Sequence, residues 1–332
     1  MSTLTLRGDR KQGARSRGKV EQSRGRRDQN RRRALWIWLF LLPTAILYGL
    51  YTIYPIIASY WYSLVEWNGF EADQKFVGIK NYQAVFADPM FWSSVKITLI
   101  FMLLVAPTRV ILSFLLAIVL NSPKLPFATL FRTVYFLPVV TTTAIVGVVM
   151  QFIFDPSSGP VNSALRAFGI SDGVSFLGDS STALYTVAGV YVWKFFGVTM
   201  IYWLAALQTI SPDVNEAAKV DGAGAVRIFR HITVPLLMPF LIIITLLTVE
   251  DTFRAFDLMQ TMTGGGPFFS TEIIEIYIYR WAFAASIPQL GFASAAAVLF
   301  GLFVFVVGLV QLWGVYAARK LRADQTVQAG RP

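Results

Sequence analysis

The 332-residue chain contains no cysteine. Disulfides, thiolate nucleophiles and cysteine metal sites are thereby excluded, while the redox compartment stays open. Charge is scarce too: 14% of residues are charged against 55% hydrophobic. That balance is too apolar for an ordinary soluble domain. His231 is the only histidine. No His/Asp/Glu set has metal-ligand spacing, and no Ser–His–Asp arrangement stands out, so a membrane-bound enzyme is disfavoured. The pattern G-x-x-x-x-G-K-[ST] is absent, and the chain itself is not expected to hydrolyse ATP. Gly264-Gly265-Gly266-Pro267 imitates a phosphate cradle, but no Lys-Ser/Thr follows; it reads as a turn.

What the chain does have is apolar runs long enough to cross a bilayer, for which about 20 helical residues suffice. Six are expected: Ala34–Ile57, Ile97–Leu120, Val134–Phe154, Ala183–Leu207, Leu236–Met259 and Phe292–Val315. The fold class is therefore all-α, a polytopic membrane protein with six transmembrane helices. A basic tail (1–33), a membrane domain (34–317) and a C-terminal tail (318–332) divide the chain. The first 33 residues carry twelve Lys/Arg against three acids. Such an arm reads as a disordered, solvated tail. Nucleic acid is not an expected partner, because nothing aromatic is interleaved and a span follows at once. Arg26-Arg27 and Arg31-Arg32-Arg33 could suggest an export signal, but the apolar stretch after them is too long.

Charge also orients the spans. With the N-terminus inside, the inner segments hold 21 Lys/Arg and the outer segments four: Lys75, Lys80, Arg166 and Arg280. Positive charge is retained on the cytoplasmic side, so both termini and the 211–235 loop are expected there.

That loop is the most informative segment. Ser211 is a good N-cap, Pro212 suits the first helical position and Gly222 suits a left-handed stop. A short capped helix between two spans follows. The order Glu216-Ala217-Ala218, Asp221-Gly222-Ala223, then Ile232 and Pro235, resembles the EAA loop of ATP-binding-cassette importer permeases. The match extends through Phe76–Tyr82 with Asp88-Pro89, Phe136-Leu137-Pro138, Gly159 with Asn162, Phe256-Asp257, Gly265-Gly266-Pro267 and Gly291-Phe292-Ala293. The Gly-Gly-Pro element is similar to that of the maltose and glycerol-phosphate A-type sugar permeases.

The resemblance implies a coupling helix, carrying Glu216, Ala217, Ala218, Asp221, Gly222 and Ala223, that docks into a cytoplasmic ATPase. It also implies a second permease subunit, two nucleotide-binding subunits and an extracellular solute-binding protein. ATP and magnesium would sit on the partner ATPase, with no cofactor on this chain. The cargo would be a carbohydrate, such as an oligosaccharide or glycoside, and the location a prokaryotic cell membrane. The competing reading of the loop is an ordinary linker between spans. The competing function is a stand-alone secondary transporter or channel, which would favour inverted repeats and intramembrane relays; no convincing repeat is seen.

Arg109, Lys194, Glu250, Asp251 and Arg254 fall at or near span interiors, where ionisable groups are functional candidates. Thr248, Asp251, Thr252 and Ala255 recur at helical spacing and are expected on one small, polar face. Asp251 would lie about 22 Å from the inner surface at 1.5 Å per residue. Similar permeases hold substrate near this depth, and Lys194, Phe195 and Val198 fall at the matching level of the fourth span. A carboxylate, an aromatic ring and an ammonium donor would suit a saccharide. The structural alternative is an Asp251–Lys194 bridge. His231, beside Phe229 and Ile232, is expected to pack rather than relay protons.

Overall fold

The computed structural model describes residues 35–122, 125–169 and 173–329, with side-chain surroundings through residue 314. The expected basic tail lies outside the described residues. The described residues divide into two compact units on either side of residue 61. In the first, α1 (Leu35–Tyr62) is apolar on every side, the pattern of a lipid-bathed span. One wide π turn at Gly49–Ile53 precedes Pro55. Pro55 lacks an amide donor and crowds the preceding turn, and the wider turn relieves that conflict. A second π turn, Phe229–Thr233, stands just before Pro235.

The second unit opens with a two-stranded antiparallel ribbon, Val65–Glu66 against Lys75–Phe76, and a short α2 (Lys80–Ala87). Next comes α3 (Pro89–Leu120), which the Asp88 carboxylate caps by accepting from the Met90 amide at 2.9 Å. Helix α4 (Ala128–Val140) and α5 (Thr143–Ile153) meet at 97°. The continuous third span expected over Val134–Phe154 is therefore broken. Pro138 cannot donate an intrahelical bond, and Thr141 and Thr142 are extended, with ψ of 140° and 130°.

After α6 (Pro160–Ala167), α7 (Ala183–Leu207) runs through the centre of the unit, with 67% of its apolar window buried. Its Val187, Ala188 and Tyr191 pack with Phe101 and Val105 of α3. Met200, Trp203 and Leu207 pack with Val110 and Ala117. Close approach to α4 depends on Gly197, where an added Cβ would overlap the Tyr135 carbonyl.

The short α8 (Pro212–Val220) leads to α9 (Ala225–Thr252). The fifth span ends at Thr252, seven residues earlier than expected, and α10 (Phe256–Met262) is a separate helix. Gly264 and Gly265 adopt φ of 58° and 90° in the turn that follows, as the glycine run led one to expect. Then α11 (Ile274–Tyr279) precedes α12 (Leu290–Ala329), whose helical backbone continues through most of the expected C-terminal tail. Among the described residues, five helices are long and apolar enough to cross a membrane, and the bent α4–α5 pair adds one more if it serves as a single span. Among the described residues the only strands are the two of the ribbon.

Candidate functional site

Four of the five ionisable residues singled out in the spans line one cavity of about 250 Å³, formed where α4, α7 and α9 face Arg109 of α3. Arg109 is 3% exposed and reaches across two helix interfaces. Its Nε donates to Thr199 Oγ1 at 2.9 Å, and Nη1 donates to Asp251 Oδ2. The guanidinium also stands 5.4 Å from the Phe195 ring centroid. Tyr191 Oη donates to the Asp251 carbonyl at 2.7 Å. Asp251 is the counter-ion of this buried arginine, and removing it would leave the guanidinium charge without compensation. Nearby, Arg254 Nη2 donates to Glu250 Oε1 at 2.8 Å. This second pair is exposed on both sides, 74% and 53%, so it can exchange with water or ligand.

Lys194 is not part of the cavity wall. It is buried, and its Nζ donates to the carbonyls of Pro138 at 3.0 Å and Thr141 at 2.6 Å. These carbonyls lie at the broken end of α4, where the helix leaves acceptors without intrahelical donors. Lys194 therefore caps the break, with its ammonium directed to these carbonyls rather than to the cavity where a sugar donor was expected. The alternative Asp251–Lys194 bridge is also absent, since Arg109 holds Asp251.

Of the face expected on the fifth span, Thr248 and Asp251 line the cavity. Thr252 is buried, with its hydroxyl donating to the Thr248 carbonyl at 2.7 Å. Ala255 is buried in the turn after the helix ends. Neither lines the cavity: Thr252, in the last turn of α9, is buried, and Ala255 lies beyond the helix end. Phe195 and Val198 do line it, together with Tyr202. Nothing in the sequence singled out Tyr202, although it lies four residues beyond Val198 on the same helix face. A larger hollow of about 640 Å³, with Phe154, Phe176, Tyr185 and Trp193 in its wall, carries no charged side chain.

At the far end of α7, the loop folds as a helix capped at both ends. Ser211 Oγ accepts from the Asp213 amide at 3.3 Å, and Pro212 occupies the first turn. At the other end, Gly222 has φ of 76°. Its amide donates to Lys219 and that of Ala223 to Ala218, at 3.0 and 2.9 Å. This double closure needs a left-handed residue, which glycine supplies without a steric cost. Asp213 in the first turn and Lys219 in the last complement the helix dipole. Glu216, Ala217, Asp221 and Gly222 are exposed, Ala223 is half-buried and Ala218 faces inward. Val214, Val220 and Val226 are exposed as well. His231 is exposed rather than packed; its Nδ1 lies 3.2 Å from the Arg227 carbonyl.

Residues 83–317 match the family described as binding-protein-dependent transport system inner membrane component. The chain belongs to that family. It is thus a translocation component, not an enzyme, and a multi-pass membrane protein. It is 33% identical to the lactose transport system permease protein LacF of Rhizobium radiobacter over 286 residues, covering 85% of this chain and 94% of that one. It is also 33% identical to the sn-glycerol-3-phosphate transport system permease protein UgpA of Yersinia pestis, covering 86% and 96%. Its fold is similar to that of a bacterial ABC transporter involved in import of the acidic polysaccharide alginate. That match has a TM-score of 0.77 at 23% identity and covers 88% of this chain and 99% of the other.

Proposed function

We propose that this inner membrane component is one of two permeases in an ATP-driven importer that moves a carbohydrate into a prokaryotic cytoplasm. An extracellular solute-binding protein delivers the cargo, and two nucleotide-binding subunits hydrolyse ATP with magnesium. The observation that carries this reading is the capped helix Pro212–Val220. Three exposed valines flank and punctuate it, and Glu216 projects a charge. An apolar, charged-tipped knob between spans suits insertion into a groove of a partner protein. A transporter acting alone would give it nothing to contact.

The carbohydrate assignment draws on the named cargo of relatives, lactose for LacF and alginate for the structural neighbour. The cavity chemistry agrees: Asp251 accepts from hydroxyls, and Phe195 and Tyr202 offer rings to apolar sugar faces. Closure of the ATPase dimer would push on α8 and rock α7 and α9, which flank it in sequence, opening the cavity to alternate sides. Both termini and α8 lie in the cytoplasm, as the 21-to-4 charge asymmetry favours.

The test is affinity purification of the tagged chain from its own membranes. Co-purification of a second permease and an ATPase is expected, together with sugar-stimulated ATP hydrolysis. A chain that purifies alone and transports in reconstituted vesicles without ATP would refute the reading. Phe195→Ala should change which sugars are carried while the complex still assembles.

A further inference from the structure

We infer that the paired charges around the cavity make this chain select an uncharged saccharide and reject anionic ones. The inference rests on the carbohydrate reading above and narrows its substrate class. The wall of the cavity contains two cations, Arg109 and Arg254, and two carboxylates, Asp251 and Glu250. Each cation is already bonded to one of the acids. Lys194, the next cation along α7, directs its ammonium to the carbonyls of Pro138 and Thr141. Two cations against two carboxylates leave the wall without a net positive charge to compensate a uronate or phosphate.

The cost of admitting an anion follows from the geometry. A ligand carboxylate at Arg109 would have to share that one guanidinium with Asp251, placing two negative charges against a single cation in a membrane interior. A neutral polyol makes no such demand. Asp251 Oδ2 is engaged by Arg109 and lies 3.5 Å from Tyr191 Oη. Among the described residues, Oδ1 has no hydrogen bond within the chain, and the side chain is 38% exposed. It is therefore held in place as an acceptor for ligand hydroxyls. Arg109 is the positioning residue in this scheme, and Asp251 and Glu250 set the charge that discriminates.

Discrimination by charge has a reciprocal consequence. Neutralising an acid frees its cation, so the cavity should then accept anions. Asp251→Asn keeps an oxygen for Arg109 but removes the charge. Glu250→Gln does the same to an exposed pair, where folding is at little risk.

The experiment measures uptake of radiolabelled maltotriose, raffinose, cellobiose, trigalacturonate and sn-glycerol 3-phosphate. Cells of the native host carry the wild-type gene, a deletion, or either variant, with membrane abundance checked by immunoblot. Gene-dependent uptake is expected for at least one neutral sugar and for neither anion. Glu250→Gln or Asp251→Asn should raise the anion-to-neutral uptake ratio at least tenfold. Arg109→Lys, which conserves the charge, should leave the preference for neutral sugars in place while raising the half-saturating concentration. Gene-dependent uptake of an anion by the wild type overturns the inference alone, as does an unchanged ratio in both correctly inserted variants. If deletion reduces uptake of none of the five probes, the carbohydrate reading itself is overturned.

Discussion

Replacing Lys194 with methionine separates a structural lysine from a sugar-contacting one. The ammonium donates to two carbonyls at the 97° break between α4 and α5. Hydrogen bonds to a charged group contribute about 1.5–3 kcal/mol each, so two lost bonds cost about 3–6 kcal/mol. Removing the ammonium also removes its burial penalty, several kcal/mol, which offsets part of that loss. The freed carbonyls recover little of it, because a site at membrane depth has no bulk water to bond them. A net loss of about 2 kcal/mol is expected, or roughly 4 °C in melting temperature at about 2 °C per kcal/mol for a chain this long. Scanning fluorimetry on the purified complex in detergent reads the shift, and competition uptake with unlabelled sugars reads selectivity. Lys194→Met should lower the melting temperature and leave the order of preferred sugars unchanged. An unshifted melting temperature with a reordered sugar preference would refute the capping role.

Gly222→Pro should disassemble or uncouple the complex, because proline cannot adopt φ of 76° and has no amide for the Lys219 carbonyl; sugar affinity of the solute-binding protein, measured by calorimetry, should not change. Glu216→Ala should weaken sugar-stimulated ATP hydrolysis by the purified complex while leaving the helix intact. Gly197→Val should drive α7 away from the Tyr135 carbonyl of α4, an overpacking cost of about 1–3 kcal/mol, read as a lower melting temperature and reduced membrane abundance. A cysteine placed at Lys219 should be unreactive to impermeant maleimide in intact cells and reactive in inverted vesicles, and labelling in intact cells would reverse the proposed topology.

The helical class and the capped loop were legible in the sequence because their causes are local. Ser211, Pro212 and Gly222 each carry a backbone preference that needs no neighbour to express it. Apolar run length likewise located α3, α7 and α12 to within a few residues at one end. The breaks were harder. Pro138 was visible, but whether a proline kinks or splits a helix depends on whether something caps the freed carbonyls, and Lys194 lies 56 residues away. The end of the fifth span at Thr252 was hidden for the opposite reason: five of the seven residues from Phe253 to Met259 are apolar and read as a continuation, whereas Leu258 and Met259 belong to a separate helix packed in the core.

The site was half legible. Charge inside an apolar run flagged Arg109, Glu250, Asp251 and Arg254, which converge, and Lys194, which does not. Pairing could not be read from spacing, since Arg109 and Asp251 are 142 residues apart. Helical periodicity correctly grouped Thr248 with Asp251 but extended the face past the helix end to Ala255.

The most direct measurement of the central claim is ATP hydrolysis by the purified complex in lipid vesicles, with and without sugar-loaded binding protein, for the wild type and Gly222→Pro. The account predicts stimulation coupled to sugar uptake in the wild type, and loss of both in Gly222→Pro if that complex stays assembled. Full stimulation and uptake by Gly222→Pro would contradict a coupling role for the helix Pro212–Val220.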